Sequence, residues 1–412
     1  RMLRINGDIF VRTLALLFAF AFFTSQGDKM VFGRFLTLSV LGIYNIGYYL
    51  CSFPLMLGQE LIGRVMIPIY REVRESGSRS AARKLGVPFG IQNHRITGDV
   101  HGPQLLAFLV STGIAGENLC RNAVVVTDHE GSATGGFGAV MGSKNLKAVS
   151  ARGTMDIEIA HPVEALEYNK SFISQITSAK VSQTQGTLGT PFIWGATNSW
   201  GGVRTRNFQY NQCEYADDIE PERIDEICEE TMGPHHMTGC FGCQVHCRAQ
   251  YKIPEGPLAG RYDEGPEYTS LGAFGAETDT PRALTVLTGN HLVDQYGMDN
   301  LETGSLISWA MELYELGIIT DKETDGLDLR FGNDEAVIEM IERICYRKGW
   351  LADALADGGI PASKKIGKSS FDYLVQVKGM SNLHSDERPT PGLALKVATA
   401  SRGSDHLRSR PA

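Results

Sequence analysis

The chain has 412 residues, which is enough for roughly two or three domains and a large hydrophobic core. It carries 47 acidic and 39 basic residues, and the resulting net charge of −8 argues against nucleic-acid binding, which favours a basic surface. A small molecule or another protein is therefore the expected partner. Eight cysteines in so long a chain fit a reduced cytosolic site better than a disulfide framework.

The N-terminal part contains two runs that are nearly free of charge, at 9–24 and 35–59, and the second is long enough to span a bilayer. The basic residues that follow are typical of a cytoplasmic flank. We therefore predict an apolar, membrane-type helical segment over residues 1–72, followed by a linker at 73–84 that is rich in serine and arginine. A buried helical hairpin of a soluble protein is the alternative.

This apolar segment also resembles pieces of two different membrane proteins. Residues 1–30 resemble part of a multidrug exporter, and residues 31–73 resemble part of a polysaccharide flippase. Two unrelated fragments joined end to end indicate a fusion or an assembly error. Membrane association is therefore expected only if residues 1–72 are a genuine part of the protein.

The composition becomes that of a soluble protein from about residue 85 onwards. Short apolar runs at 123–127 and 146–149 predict strands, because buried strands are commonly short and rich in branched apolar residues. Gly317 is a natural helix stop. Apolar residues that recur at helical spacing predict three packed helices, at 283–296, 303–316 and 336–346.

A glycine-rich stretch at 131–147 invites a nucleotide-binding interpretation, which fails on residue order. Ser143 precedes Lys144, whereas a P-loop needs the reverse, and Met141 stands where the dinucleotide fingerprint needs glycine. The stretch still allows backbone amides to approach a ligand, with a lysine charge available to a phosphate. A tight turn between strands is the alternative. The candidate ligand-binding residues are Gly135, Gly136, Gly138 and Lys144.

Three cysteines form the strongest chemical signal, because Cys240, Cys243 and Cys247 have C-x2-C-x3-C spacing. Gly239 and Gly242 give the loop the freedom to curl around a metal core. A four-iron four-sulfur cluster needs a fourth ligand, and the other cysteines form no second short-spaced motif. Unligated cysteines are one alternative. Zinc is the other, because three histidines stand beside the thiols, namely His235, His236 and His246.

Five motifs in the same order resemble the tungsten-dependent aldehyde:ferredoxin oxidoreductase family, over about residues 85–412. Thr134 departs from the family, which commonly has arginine before the paired glycines. The first motif combines 116–119 with 138–148, and the others lie at 205–209, 240–247, 265–275 and 294–299.

The resemblance implies an α+β fold and a cytoplasmic location for residues 85–412. A partial β-sheet pterin-binding domain is expected at 85–153. It is followed by a mainly α-helical domain at 154–375, which carries the cluster ligands and the first pterin motif. Residues 376–412 would begin a truncated C-terminal helical domain.

The resemblance also implies the cofactors. These are a four-iron four-sulfur cluster on the three clustered cysteines and a tungsten or molybdenum bis-molybdopterin, with magnesium bridging the pterin phosphates. Asp294, Gly297 and Asp299 match the family's pterin motif, in which carboxylates accept hydrogen bonds from pterin N–H groups. Without the family, Asp294 and Asp299 would be interpreted as solvated acids at a helix end.

The implied reaction is oxidation of an aldehyde to a carboxylic acid, with electrons passing through the cluster to ferredoxin or another electron-transfer subunit. Glu267 and His406 align with the family's active-site carboxylate and histidine, and Tyr268 is a candidate hydrogen-bond donor to substrate. Taken singly, the first two would be surface or capping residues and the tyrosine a core residue. The stretches 383–388 and 398–408 resemble the benzoyl-CoA reductase branch, whose substrate would be an aromatic acyl-CoA.

Two features of the family are missing from the sequence, namely the N-terminal segment that cradles the bis-pterin and the second aspartate motif, whose cysteine completes the cluster. We therefore expect the chain as it stands to hold at most trace tungsten and to show a small fraction of the family's activity. An inactive truncated or chimeric fragment is a third hypothesis. A homodimer or a hetero-oligomer fits any of these.

Overall fold

The computed structural model describes residues 107–127, 132–133, 135–152, 159–240 and 242–404. These residues belong to one unit, Phe89–Ala412. The predicted apolar segment at 1–72, the linker at 73–84 and His406 lie outside the described residues. Within the described ranges, no helix has both the length and the apolar character needed to cross a bilayer.

The first sheet has four antiparallel strands in the order β3-β2-β1-β4. The central strand β1 sets the register, because Val110 pairs with Thr127 on one side and with Val149 on the other. The runs that predict strands at 123–127 and 146–149 correspond to β2 and β4. The strands are β1 Ala107–Thr112, β2 Val125–Thr127, β3 Ser132–Ala133 and β4 Ala148–Arg152.

Two short helices, α1 (Ile114–Glu117) and α2 (Phe137–Ser143), pack against each other through glycines. A Cβ atom on Gly142 would lie 1.8 Å from the Gly116 carbonyl oxygen, and one on Gly116 would lie 2.6 Å from the Gly138 carbonyl oxygen. The glycine-rich stretch is therefore a helix in close backbone contact with its neighbour, rather than a tight turn between strands.

The rest of the described chain is mainly helical, with two small antiparallel sheets, so the α+β class is confirmed. The helices are α3 Pro162–Ser178, α4 Lys180–Leu188, α5 Trp194–Ser199, α6 Pro221–Met232, α7 Tyr268–Leu271, α8 Ala283–Tyr296, α9 Asn300–Glu315, α10 Asp334–Tyr346, α11 Trp350–Ala356, α12 Gly359–Ile366 and α13 Pro391–Thr399. The sheets are formed by β5 Met237–Thr238, β6 Arg248–Lys252 and β7 Tyr262–Glu264, and by β8 Gln376–Val377 with β9 Met380–Ser381. Short 3-10 turns lie at Thr190–Ile193, Ala216–Ile219 and Ser370–Tyr373, and a π-helix lies at Gly272–Ala276.

The hydrophobic core lies between α8, α9, α10 and the π-helix. Its largest fully buried side chains include Phe274, Leu306 and Trp309. The three predicted helices are confirmed, and α9 begins earlier than predicted because Asp299 caps it by accepting the Glu302 N–H at 3.2 Å.

A backbone contact joins the first sheet to the helical part. A Cβ atom on Gly113 would lie 2.1 Å from the Tyr296 carbonyl oxygen, and one on Gly297 would lie 2.8 Å from the Gly113 nitrogen. Beside this contact, the Val124 N–H donates to the Gly297 carbonyl at 2.9 Å. We call this contact, made by Gly113, Val124 and Gly297, the glycine seam.

Arg347 ties the same two parts together by a second route. Its guanidinium donates to the carbonyl oxygens of Asn118 at 2.8 Å and Leu119 at 2.9 Å, just after α1. It also pairs with Asp353 and Asp357 at 3.0 and 2.9 Å. One side chain therefore bridges the loop after α1 and helix α11.

Replacing Gly297 with alanine is expected to destabilise the protein more than replacing Gly317 with alanine. Both glycines have φ of +68°, so both substitutions carry the cost of a left-handed backbone, about 1–2 kcal/mol. Only Gly297 also meets backbone atoms in the glycine seam, because nothing lies within 4 Å of a Cβ on Gly317. Overpacking should add about 1–3 kcal/mol at Gly297. Urea unfolding of both variants measures the difference in unfolding free energy. Equal losses for the two variants would show that the glycine seam can relax around a side chain.

Candidate functional site

The three clustered cysteines lie on a loop between β5 and β6 that curls on itself. The Cys243 N–H donates to the Cys240 carbonyl at 2.9 Å, and Gly242 has a φ of +74°. A Cβ atom on Gly239 would lie 3.1 Å from the ring of His246, so the loop closes tightly. Cys240 is exposed and the other two thiols are half-buried. The loop therefore has the curl that its glycines predict, and it opens to the surface.

The three thiols lie close enough together to interact electrostatically. Burial raises the pKa of the Cys247 thiol, and negative charge on Glu267, Cys243 and Cys240 raises it further. Across the part of the chain that the structure describes, no three Cys, His, Asp or Glu side chains form a group that could hold a metal ion.

The histidines beside the thiols differ in their surroundings. His236 is buried, with Nε2 2.8 Å from an Asp225 carboxylate oxygen and Nδ1 3.0 Å from the Gly233 carbonyl oxygen. Both of its ring nitrogens are thus engaged within the fold. His235 and His246 are exposed.

Glu267 lies next to the cysteine loop and is held by Thr190. The Thr190 hydroxyl donates to the Glu267 carboxylate, and the Tyr268 N–H donates to the same hydroxyl oxygen at 2.9 Å. A Cβ on Gly189 would be 3.0 Å from the Cys247 carbonyl oxygen, so this segment touches both groups. Burial raises the pKa of Glu267, and the Thr190 bond and the charge of Arg248 offset part of the rise.

Tyr268 is a core residue at the start of α7. It is buried, and its ring centre lies 5.6 Å from that of Trp194 in a tilted arrangement. The chain then passes through α7 into the π-helix at Gly272–Ala276, and single π-helical turns are frequent at functional sites. Packing therefore fixes Tyr268 beside Glu267, and its role as a hydrogen-bond donor to substrate stays a prediction.

A chain of polar side chains runs from Asp294, the first acid of the 294–299 motif, to Asn300, the residue after the second acid. The Asn290 amide donates to an Asp294 carboxylate oxygen at 3.2 Å and accepts from the Ser270 hydroxyl at 2.8 Å. The Asn300 amide donates to that hydroxyl at 2.8 Å. Because Ser270 lies one helical turn after Glu267, the structure brings the motif and the candidate catalytic carboxylate to one region.

Asp299 is a half-buried helix cap rather than a solvated acid. Its own N–H donates to the Asn122 carbonyl at 2.7 Å, across to the loop before β2. Burial raises the pKa of its carboxyl group, and the N–H groups of Glu302 and Leu301 and the charge of Arg402 offset part of the rise.

The predicted glycine-rich site is divided between the two ends of α2. Gly135 and Gly136 have φ of +104° and +80° and lie before the helix, and Gly138 is buried in its first turn. Lys144 is exposed at the other end, about 10 Å away at 1.5 Å per residue. The cation beside the glycines is Arg402, because a Cβ on Gly135 would be 3.7 Å from its guanidinium.

A buried ionic network is the feature that sequence reasoning missed. Arg204 Nε lies 2.9 Å from Glu277 Oε1, and His384 Nδ1 lies 2.6 Å from the same oxygen. The hydroxyls of Ser305 and Ser308 donate to the other Glu277 oxygen at 3.3 and 3.2 Å. Burial alone would raise the pKa of Glu277, but Arg204 and His384 hold it below its ordinary value.

This network joins segments that are far apart in the sequence. Arg204 stands just before the 205–209 motif, and His384 belongs to the 383–388 stretch. Both segments are loops without apolar periodicity, so residue spacing gives no signal that they meet. The only signal in the sequence was that Arg204 and His384 lie in or next to stretches that resemble the family.

Glu302 provides a pH-dependent test of this polar region. Its carboxylate accepts the Ser381 N–H at 3.0 Å, and burial raises its pKa to about 7. The folded chain therefore holds this proton up to about pH 7, whereas the unfolded chain loses it near pH 4.3, so stability falls as pH rises between these values. Glu302→Gln should raise the free energy of unfolding by about 3–4 kcal/mol at pH 8 and change it little at pH 4, because a pKa difference of about 2.5 units corresponds to about 1.4 kcal/mol per unit. Urea unfolding at both pH values checks this, and equal gains would indicate packing instead of ionisation.

The described fold has a small antiparallel sheet joined to a helical part, and the thiol-rich loop lies beside the carboxylate of Glu267. The family model for domains 2 and 3 of aldehyde ferredoxin oxidoreductase matches residues 167–412, and the model for the N-terminal domain of that enzyme matches residues 95–153. The chain therefore belongs to the aldehyde ferredoxin oxidoreductase family.

Several curated relatives are similar over the same region. The tungsten-containing aldehyde ferredoxin oxidoreductase of Pyrococcus horikoshii is 34% identical over 311 residues, and that of Thermococcus kodakarensis is 33% identical over 306 residues. A WOR-like subunit of an aliphatic sulfonate oxidoreductase of Pyrococcus furiosus is 29% identical over 315 residues. The alignments cover 72–73% of this chain and 48% of each relative, so the chain spans about half the length of the relatives it matches.

A solved structure supports the fold. The active-site complex BamBC of benzoyl coenzyme A reductase, with bound 1,5-dienoyl-CoA, matches with a TM-score of 0.59 at 22% identity. The match covers 72% of this chain and 46% of that chain.

Proposed function

We propose that this chain takes part in tungsten-pterin-dependent oxidation of aldehydes to carboxylic acids, with electrons leaving through an iron-sulfur cluster. The observation that carries the proposal is the meeting of the cysteine loop, Glu267 and the 294–299 motif in one region of a chain of this family. Aldehyde oxidation is favoured over aromatic ring reduction, because the relatives above 30% identity are aldehyde oxidoreductases.

The cysteine loop supplies the donor atoms of an iron-sulfur cluster, and cluster binding would have to draw the thiols together, since those that the structure describes do not form a metal-ion group. It offers three thiols on a curled loop, with one exposed and two half-buried, and thiolates are the usual ligands of such clusters. The residues that would hold the cluster are Cys240, Cys243 and Cys247. The seven cysteines that the structure describes are all free thiols, which supports a reducing, cytoplasmic location.

The region around Asp299 fits a pterin because it is rich in hydrogen-bond acceptors. The side-chain oxygens Asn122 Oδ1 and Asn300 Oδ1 are buried and have no hydrogen-bond partner among the described residues, and both residues adjoin Asp299. Buried acceptors of this kind are normally satisfied, and a pterin ring carries amino and ring N–H donors. Asp294 and Asp299 would accept further N–H groups of the ring. The sheet at 85–153 would be the remnant of the pterin-binding domain, the helical domain would cover 154–375, and 376–412 would begin a third domain.

Around such a group, the chain's own residues would position substrate and move a proton. When bound, the tungsten-pterin group supplies the two-electron chemistry. Glu267 is suited to accept a proton, because burial raises its pKa and the Thr190 hydroxyl fixes one carboxylate oxygen. Tyr268 and its contact with Trp194 hold this carboxylate in place. His406, as a second proton-transfer residue, stays a prediction, as does magnesium bridging the pterin phosphates.

The electron acceptor proposed is ferredoxin or another electron-transfer subunit, in a homodimer or a hetero-oligomer. Cys240 is exposed, so a cluster held there would lie close to the surface that a redox partner can reach. Electron transfer between proteins requires that the two redox centres come close to each other. The aldehyde itself is a small molecule of unassigned identity.

The proposal is tested with the full chain purified without oxygen from a host supplied with tungstate. The rate of dye-linked oxidation of a short aldehyde is measured, and iron, sulfide and tungsten are determined on the same sample. Glu267→Gln should lower this rate and leave the metal content unchanged. A matched control is Glu255→Gln, because Glu255 is exposed and its ion pair, with Arg282 at 3.8 Å, lies on the surface. Stoichiometric zinc without sulfide, or equal activity of Glu267→Gln and wild type, would contradict the proposal.

A further inference from the structure

His384 is fully buried, and its two ring nitrogens have different surroundings. Nδ1 lies 2.6 Å from Glu277 Oε1, whereas Nε2 has no hydrogen-bond partner within the described residues. Nearly all buried polar atoms in folded proteins are hydrogen-bonded, and an unsatisfied one opposes folding. The geometry therefore points to a partner for Nε2 that these residues do not supply.

The free nitrogen is an acceptor. Glu277 is ion-paired with Arg204 at 2.9 Å and stays ionised, so it accepts the Nδ1–H of His384. Because Arg204 already balances the charge of Glu277, a second buried cation would be uncompensated, which favours the neutral ring. A neutral imidazole that donates through Nδ1 carries a lone pair on Nε2. The missing partner is therefore an N–H or O–H group.

His384 lies beside the acceptors that adjoin Asp299. A Cβ on Gly272 would lie 2.4 Å from His384 Cβ, and two residues earlier the Ser270 hydroxyl accepts from Asn300 at 2.8 Å. Three residues before His384, the Ser381 N–H donates at 3.0 Å to Glu302, which lies about one helical turn after Asp299. We call Asn122, Asp299, Asn300 and His384 the acceptor cluster. Its members come from a loop before β2, the start of α9 and the loop after β9, and the first two segments are joined by the bond from the Asp299 N–H to the Asn122 carbonyl.

We propose that His384 Nε2 accepts a hydrogen bond from an N–H group of a pterin ring bound at the acceptor cluster. This inference rests on the proposed function and adds a binding residue to it. Arg204 and Glu277 act as positioning residues, because they fix the tautomer and the ring orientation of His384. The chemistry that is recognised is a flat heterocycle with several N–H donors, which the acceptors of this cluster, drawn from three segments of the chain, would satisfy.

The test separates the two nitrogens of the ring. His384→Asn keeps a donor where Nδ1–H stands and removes Nε2, whereas His384→Gln extends an amide towards the Nε2 position and loses the contact with Glu277. The full chain and both variants are titrated with 6-hydroxymethylpterin, followed by pterin fluorescence, and the urea midpoint of each is measured without ligand.

We expect His384→Asn to keep the urea midpoint of the wild type and to bind the pterin about tenfold more weakly, as the loss of one buried hydrogen bond predicts. His384→Gln should lose stability and keep more of the affinity. Equal pterin affinity of His384→Asn and wild type would overturn the inference alone and assign Nε2 to a water molecule. If both variants lost pterin affinity only in proportion to their loss of stability, the inference would be overturned as well. A wild-type chain that binds no pterin would overturn the proposed function itself.

Discussion

Glu277→Gln is expected to destabilise the protein by about 3–5 kcal/mol, the largest effect of any single substitution considered. Glutamine preserves the volume of the side chain but removes the charge that balances Arg204, which is fully buried. A buried guanidinium without a counter-charge is costly, because the interior cannot replace its hydration. The urea-unfolding free energy at pH 7 measures the loss.

The matched control is Glu339→Gln on α10. Glu339 also pairs with an arginine, Arg343 at 2.7 Å, but its side chain is 44% exposed. Exposed ion pairs contribute about 0–1 kcal/mol, so this variant should be nearly neutral. Losses of the same size at both glutamates would mean that burial does not set the strength of the Arg204–Glu277 pair. A double replacement by apolar residues, Arg204→Met with Glu277→Leu, should recover part of the single-variant loss.

Cys243→Ser is expected to remove most of the iron-sulfur cluster from the chain. Serine keeps the shape of the loop, including the hydrogen bond from the residue 243 N–H to Cys240, and removes one of the three thiolates. The chain is reconstituted with iron and sulfide under nitrogen, and the visible absorption and the iron content are measured. Wild type should take up about four irons, and the variant less than half of that.

A control for this experiment is Cys345→Ala, in a fully buried position on α10. It removes a thiol that lies outside the cysteine loop, so it should lower stability slightly and leave the iron content unchanged. If the two variants bound equal amounts of iron, the loop would not be the cluster site. Zinc bound without sulfide in the wild type would favour the alternative metal.

The sequence predicted the long helices of this fold well. Helix α8 has the predicted limits of 283–296, because its apolar spacing runs unbroken until Gly297 provides a left-handed stop. Gly317 ends α9 in the same way, with its N–H bonded to Tyr314 at 3.0 Å. Long periodic segments next to glycines carry enough local signal to place both ends.

The short elements were harder to predict. Helix α2 has seven residues, and four of these are glycine, alanine or serine, so neither helix propensity nor apolar periodicity predicts it. It forms because Gly116, Gly138 and Gly142 allow it to pack directly on α1. This is a tertiary cause, which a local pattern cannot show.

The candidate site divides along the same line. The cysteine spacing and the acids at 294 and 299 were found from the sequence, since each is a short motif. The Arg204–Glu277–His384 network was not, because its three members are separated by more than 70 residues and meet only in the folded chain. Thr190, whose hydroxyl donates to the Glu267 carboxylate, belongs to no motif, so only the folded structure shows its role.

The glycine seam also limits how this sequence can change. A side chain at Gly113 or Gly297 would enter the backbone of the opposite segment, so a substitution at either position forces the two segments apart. Separation would break the Val124–Gly297 hydrogen bond and shift Asp299 away from Asn122. A single mutation there cannot be compensated by repacking side chains, because the obstructing atoms belong to the main chain. Any viable sequence with a larger residue at one of these positions must therefore have a remodelled loop before α1.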